Sequence, residues 1–136
     1  MRLLLLFVTL LLISCDKEFM VQPELREYYS NFKVDARVRG IIVEDENLII
    51  TLKDINSDTK LGRYTQALGG QRYIYVDSAS YYAGLGKLIL YHELGHAILN
   101  RKHTKHFSLM NPNVTKYTSN LQYMDELNDE LFTGQN

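Results

Sequence analysis

A single cysteine, Cys15, excludes any disulfide within the chain. No stretch is long enough to read as a membrane span. The one extended apolar run, Leu3 to Ile13, is interrupted only by Thr9 and is too short to cross a bilayer. There is no basic block, and 15 cations stand against 16 acids, which argues against nucleic acid as a partner. Neither an internal repeat nor a low-complexity tract is visible.

What the amino-terminus does have is a short basic start, Met1-Arg2, then the apolar run, then Leu12-Ile13-Ser14-Cys15. This order reads as a bacterial lipoprotein signal peptide over residues 1–14 with a lipobox ending at Cys15. Cleavage before Cys15 would leave a lipidated cysteine heading the mature chain, and multiple acyl chains anchor a protein stably. An ordinary secretory signal with an incidental cysteine is the alternative. Residues 15–22 are then a lipidated tether and residues 23–136 one domain. Asp16-Lys17-Glu18 resembles the lysine-plus-acidic export tag of surface lipoproteins in Bacteroidetes-type bacteria. The expected location is the bacterial cell envelope, lipid-anchored in the outer membrane, with the cell surface suggested by that tag. Removing 14 of 136 residues takes Arg2 with them and leaves 122 residues with a net charge of −2, a single domain of common size. A monomer is expected.

The most informative stretch is Leu88 to Pro112, LILYHELGHAILNRKHTKHFSLMNP. Its centre, His92-Glu93-Leu94-Gly95-His96, is an H-E-x-x-H pattern in an apolar run. On a helix, positions i and i+4 share a face, so His92 and His96 can aim two imidazoles at one zinc ion. Glu93 flanks that point and can take a proton from water activated there. A buried helix with two satisfied core histidines is the bland alternative. A three-coordinate zinc site needs a third ligand and an open position. Asn100 is the expected helix stop, since Asn tolerates the left-handed conformation. His103 and His106 follow, 11 and 14 residues after His92, and either could turn back once the helix has ended; Ser108-Leu109-Met110-Asn111-Pro112 reads as a tight turn.

This segment resembles the metzincin zinc peptidases, especially the matrixin branch, with H-E-x-G-H, a Gly, a third His and an S-x-M-x-P Met-turn beneath the metal. His92, Glu93, Gly95, His96, Met110 and Pro112 match position by position. The family Gly and third His would fall at Leu99 and Lys102. Shifting both by one gives Asn100 and His103, as if the helix were extended by one residue. The same long-spaced form is similar to a group of small predicted metallopeptidase lipoproteins of Bacteroidetes-type bacteria. Their C-terminal Y-x-D-E-L-F pattern is echoed by Tyr123 to Leu127 with Leu131-Phe132 after it. The resemblance is tight over residues 88–112 and loose elsewhere. It implies an α+β, minimal zincin-like fold: a small mostly antiparallel or mixed sheet, an N-terminal helix, a central active-site helix and a C-terminal helix. It also implies Zn held by His92, His96 and His103, Glu93 as general base, and the Met-turn residue Met110. His106 and Glu126 remain alternative third ligands, and Tyr117 could reach the cleft. One cysteine cannot be both the lipid anchor and the zinc-blocking thiol of a latency segment.

Apolar spacing predicts a helix from Pro23 to Phe32, with Pro suited to the first turn. Val38 to Val43 and Leu48 to Lys53 read as strands, and Ile55 to Lys60 as loop. Arg63 to Leu68 and Gln71 to Val76 read as a hairpin, with Gly69-Gly70 supplying a two-residue turn. By the resemblance, Arg63 to Leu68 is the candidate edge strand that pairs with substrate backbone; a plain scaffold hairpin is the alternative. Asp77 or Ser78 is expected to cap the central helix, about residues 80–100. The last helix is expected from about Ser119 to Phe132.

The expected activity is zinc-dependent hydrolysis of a peptide bond in a peptide or protein substrate. The rivals are a non-catalytic zincin-fold lipoprotein that captures peptide or metal, and a structural lipoprotein without metal.

Overall fold

The computed structural model describes residues 17–113 and 122–134. The leader, Cys15, Tyr117 and the expected start of the last helix at 119–121 lie outside them. The fold is α+β. One mixed sheet contains β1 (Met20–Val21), β2 (Leu48–Lys53), β3 (Gly62–Gln66) and β4 (Arg72–Asp77) in the order β1-β2-β4-β3. β1, β2 and β4 are parallel, and β3 runs antiparallel to β4 at the edge. Three main helices accompany it: α1 (Arg26–Val38), α3 (Gly86–Ala97) and α4 (Met124–Thr133). A single turn, α2 (Ser78–Ser80), leads towards α3.

Alternation in the two central strands sorts their side chains. Leu48 and Ile50 of β2 and Ile74 and Val76 of β4 are fully buried, with Ile50 opposite Ile74. Against them pack Leu25, Tyr29 and Phe32 from the α1 region, and α3, in which every residue from Leu88 to Gly95 is buried. A helix apolar on all sides belongs at the centre of a domain, and α3 is there. Leu127 and Leu131 bring α4 against it. Tyr91 of α3 donates its hydroxyl to Asp35 of α1 at 3.0 Å, and Asn128 of α4 donates to the same oxygen at 3.3 Å. One half-buried carboxylate thus joins all three helices. Burial also pushes the Tyr91 phenol upward, so it stays a donor.

Several expectations are corrected. Val38 to Val43 is not a strand. α1 continues to Val38 and stops at Gly40, whose φ is +73°, with Ile41 N–H bonding to Ala36 O and Gly40 N–H to Arg37 O. That is a Schellman cap, in which glycine takes the left-handed position and orphan carbonyls are satisfied. The β-branched run also has no sheet edge to join, because β1 occupies the free side of β2. Met20 and Val21, read as tether, pair with Ile49 and Ile50, and Gln22 fastens to Ile50 O and Leu52 N–H. The hairpin closes at Ala67 and Gln71 around three residues rather than two, with Gly69 and Gly70 both at positive φ. Asp77 does cap the start of the helical run, accepting from the N–H and hydroxyl of Ser80. The run is not continuous, however. Tyr81–Leu85 forms a π-helical turn with Gly84 at φ +89° before α3 begins.

Gly40 supplies a clean test, since a Cβ there would meet nothing within 4 Å. Gly40→Ala should therefore cost only the backbone penalty, about 1–2 kcal/mol, read as a lowered urea midpoint with an unchanged slope.

Candidate metal centre

Three elements meet at a cleft of about 390 Å³: helix α3, the loop after it, and edge strand β3. Successive turns of α3 carry His92 and His96 into it. The helix ends at Ala97, and Asn100 takes φ +53°, turning the chain so that His103 comes back over the helix. The three Nε2 atoms form a nearly equilateral triangle: 3.2 Å from His92 to His96, and 3.1 Å from each to His103. These residues are placed to hold a metal ion.

The far side of each helical ring explains why the near side is ready. His92 Nδ1 lies 2.6 Å from Leu109 O, and His96 Nδ1 lies 2.7 Å from Arg101 O. A carbonyl oxygen only accepts, so both Nδ1 atoms carry the proton and both Nε2 atoms present lone pairs. Two bare lone pairs facing each other at 3.2 Å repel unless a cation stands between them. Burial lowers the His92 pKa to about 4, helped by His96 and His103, and lowers that of His96 too. Neutral imidazole is the state that binds metal.

Glu93 lines the same cleft. Burial pushes its carboxyl up to about 7, against the effect of a hydrogen bond from the Tyr64 backbone N–H. That bond fits the strand register. Asp77 N–H bonds to Leu61 O and Ala67 N–H to Gln71 O. In an antiparallel pair this turns the main-chain groups of Gly62, Tyr64 and Gln66 away from β4, towards the open edge. Gly62 itself lies so close to α3 that an added Cβ would strike Glu93 Oε1 and Ile89 Cγ2. Only glycine lets β3 pass over the carboxylate without moving it.

Beneath the site, Met110 is fully buried, and its Sδ sits where a Cβ on Gly95 would go, with Leu131 beside it. A mid-helix glycine costs about 1 kcal/mol against alanine. Overpacking this junction would cost a further ~1–3 kcal/mol, so the glycine is the cheaper choice. The turn is held by Ser108, whose hydroxyl accepts from Met110 N–H and donates to Glu130. The other oxygen of Glu130 binds the Arg101 guanidinium at 2.8 Å, and Arg101 also donates to Glu130 O and Leu131 O. One α4 carboxylate therefore fixes both chain segments whose carbonyls orient His92 and His96. Arg72 ties down the end of α3 through Ala97 O at 2.6 Å and Asn47 Oδ1 at 2.9 Å.

Of the alternative third ligands, His106 is exposed, 3.6 Å from Glu130 and outside the triangle. Glu126 is exposed on α4 and is not in the cluster. Sequence reasoning missed Gly62, Arg101 and Glu130 as parts of the site, and placed Ser108 in the turn without its bond to Glu130. Gly62 carried a faint signal, since a glycine at a strand often marks close approach. Glu130 carried none. Comparison of the chain with protein-family models, curated proteins and solved structures finds no match in any of the three.

Two predictions follow from the geometry. Glu130→Gln should leave the fold intact but weaken metal binding about 10–100-fold, read by competition with a chelating dye. The second concerns pH. His92 titrates lower when folded than its ordinary 6.5, so the metal-free protein loses stability as pH falls from 6.5 to about 4. Glu93 titrates higher than its ordinary 4.5, so stability is also lost as pH rises from 4.5 to about 7. A divalent cation favours both neutral imidazole and carboxylate. Added metal should thus raise the melting temperature most near pH 7, and progressively less below pH 6 as protons compete for the histidines. Melting curves with metal and with chelator, between pH 5 and 8, check this.

Proposed function

We propose that this chain is a zinc-dependent peptidase, carried on a bacterial envelope by a lipid on Cys15. The observation that carries the enzymatic reading is the triangle of Nε2 atoms with a buried carboxylate next to it. Zinc bound by imidazole nitrogens at about 2.0–2.1 Å in tetrahedral geometry holds them about 3.3 Å apart. The separations of 3.1–3.2 Å are close to that. Three imidazole nitrogen donors with an open fourth position are the donor set of a catalytic rather than a structural zinc.

Zinc held there would supply an acidified water and polarise the scissile carbonyl. Glu93 accepts the proton of the attacking water and delivers it to the departing amine nitrogen. A carboxyl lifted towards 7 by burial is suited to both halves of that transfer, and the Tyr64 N–H keeps it aimed into the cleft. Apart from the Tyr64 N–H, which holds Glu93, the outward main-chain groups of β3 pair with an extended substrate, giving affinity with little demand on side chains.

The resemblance of residues 88–112 to the metzincin pattern supports the same reading, as does Met110 under Gly95. The leader sequence supports the envelope location. No helix among the described residues is long and apolar enough to cross a membrane.

Glu93→Gln is the decisive variant. It should retain one zinc per chain and lose at least a hundredfold in peptide turnover, measured on a peptide library by mass spectrometry. Equal turnover by the variant and the parent would remove Glu93 from the chemistry. Zinc bound stoichiometrically by a parent that cleaves nothing would leave a capture protein.

A further inference from the structure

On the side of the sheet edged by β1, away from β3, lies a groove of about 850 Å³. Phe19 and Met20 lead into it, Val34 contributes from α1, and Ile41 and Ile42 come from the loop after Gly40. These side chains are uncovered: Ile42 is 86% exposed, Val34 57%, Phe19 49% and Met20 42%. Arg26, Lys33 and Arg37 also line the groove, from one stripe of α1, and no acidic side chain does. In a chain with slightly more acids than bases, that separation is not the average surface. Lys33 reaches Asp45 at 3.1 Å, and Arg26 holds Val21 O; Arg37 completes the basic rim.

Exposed apolar side chains ringed by cations match the boundary between lipid headgroups and acyl chains. The position of the patch in the chain says which surface it meets. Phe19 is four residues after Cys15, so a lipid on that cysteine holds the groove within a few residues' reach of the bilayer. We infer that this groove, entered by Phe19 and Met20 and floored by α1, is a docking face for an anionic lipid surface. It is a second contact that orients the domain on the membrane to which Cys15 tethers it. The inference rests on the reading of Cys15 as the lipid carrier and is independent of the metal centre. Residues such as Ile42 enter the headgroup boundary while the three cations meet lipid phosphates. β3 and its cleft lie at the opposite edge of the sheet, clear of the bilayer.

The chain has no tryptophan, so one introduced residue reports alone. The full chain is expressed with its leader, extracted from membranes, and its mass read for acylation of Cys15. Ile42→Trp and, on the loop beyond α3, Phe107→Trp are each reconstituted into vesicles with brominated acyl chains, with and without phosphatidylglycerol. Ile42→Trp should shift to the blue and lose at least half its emission in the anionic vesicles, while Phe107→Trp stays unquenched. Adding Val34→Asp and Arg37→Glu to the Ile42→Trp chain should restore its emission. Absence of quenching at Ile42→Trp in anionic vesicles overturns the inference. So does a blue shift already complete before vesicles are added, which would assign the groove to a second copy or another segment of the chain. The same fluorescence on Cys15→Ser with excess anionic vesicles judges the surface without the anchor. Loss of acylation and loss of docking are thus read separately.

Discussion

Two carbonyl oxygens, those of Leu109 and Arg101, decide what the histidines of α3 can do. By accepting the Nδ1 protons they choose the tautomer and the ring orientation in one step. Neither carbonyl belongs to the helix whose rings it steers. Both lie on the chain that follows it, and that chain is held by Glu130 through Arg101 and Ser108. The candidate metal centre is therefore assembled from the helix, the returning loop and the last helix at once. Its donors converge only when all three are packed.

Burying these groups together is electrostatically costly without a partner. Neutral imidazoles and a carboxyl lifted towards 7 are what a low-dielectric cleft makes of His92, His96 and Glu93. One divalent charge in the middle would satisfy the lone pairs and the carboxylate together. Folding and ion binding would then be coupled. Gly62 and Gly95 belong to the same economy of space. One lets the sheet edge pass over the carboxylate, and the other seats Met110 under the helix.

How much of this could be read in advance depends on the distance over which each signal acts. The placement of His92, Glu93 and His96 is local, fixed by helical periodicity within five residues. His103 is chosen over His106 through the family resemblance, with the helix stop shifted to Asn100, and Asn100 does take the left-handed conformation. The buried face of β2, the positive φ of Gly69 and Gly70, and the Asp77 cap are also local properties. The failures are tertiary. Val38 to Val43 has the composition of a strand, but Gly40 caps a helix there and the neighbouring edge is taken. Met20 and Val21 looked like a tether because two residues carry no periodicity. Glu130 is 27 residues beyond His103, and no local pattern says that its carboxylate braces the loop.

The outward amides of β3 set a condition on whatever is seated there. An edge of this kind bonds to peptide planes spaced at about 3.3 Å per residue, a spacing that a coiled or compact segment does not present. Any stretch of a target that is helical, or already engaged in its own sheet, has its main-chain donors and acceptors spoken for. If the edge seats a peptide, as proposed, selectivity would be set first by the conformation of the target. Local unravelling, more than the identity of any one side chain, would govern which sequences gain access.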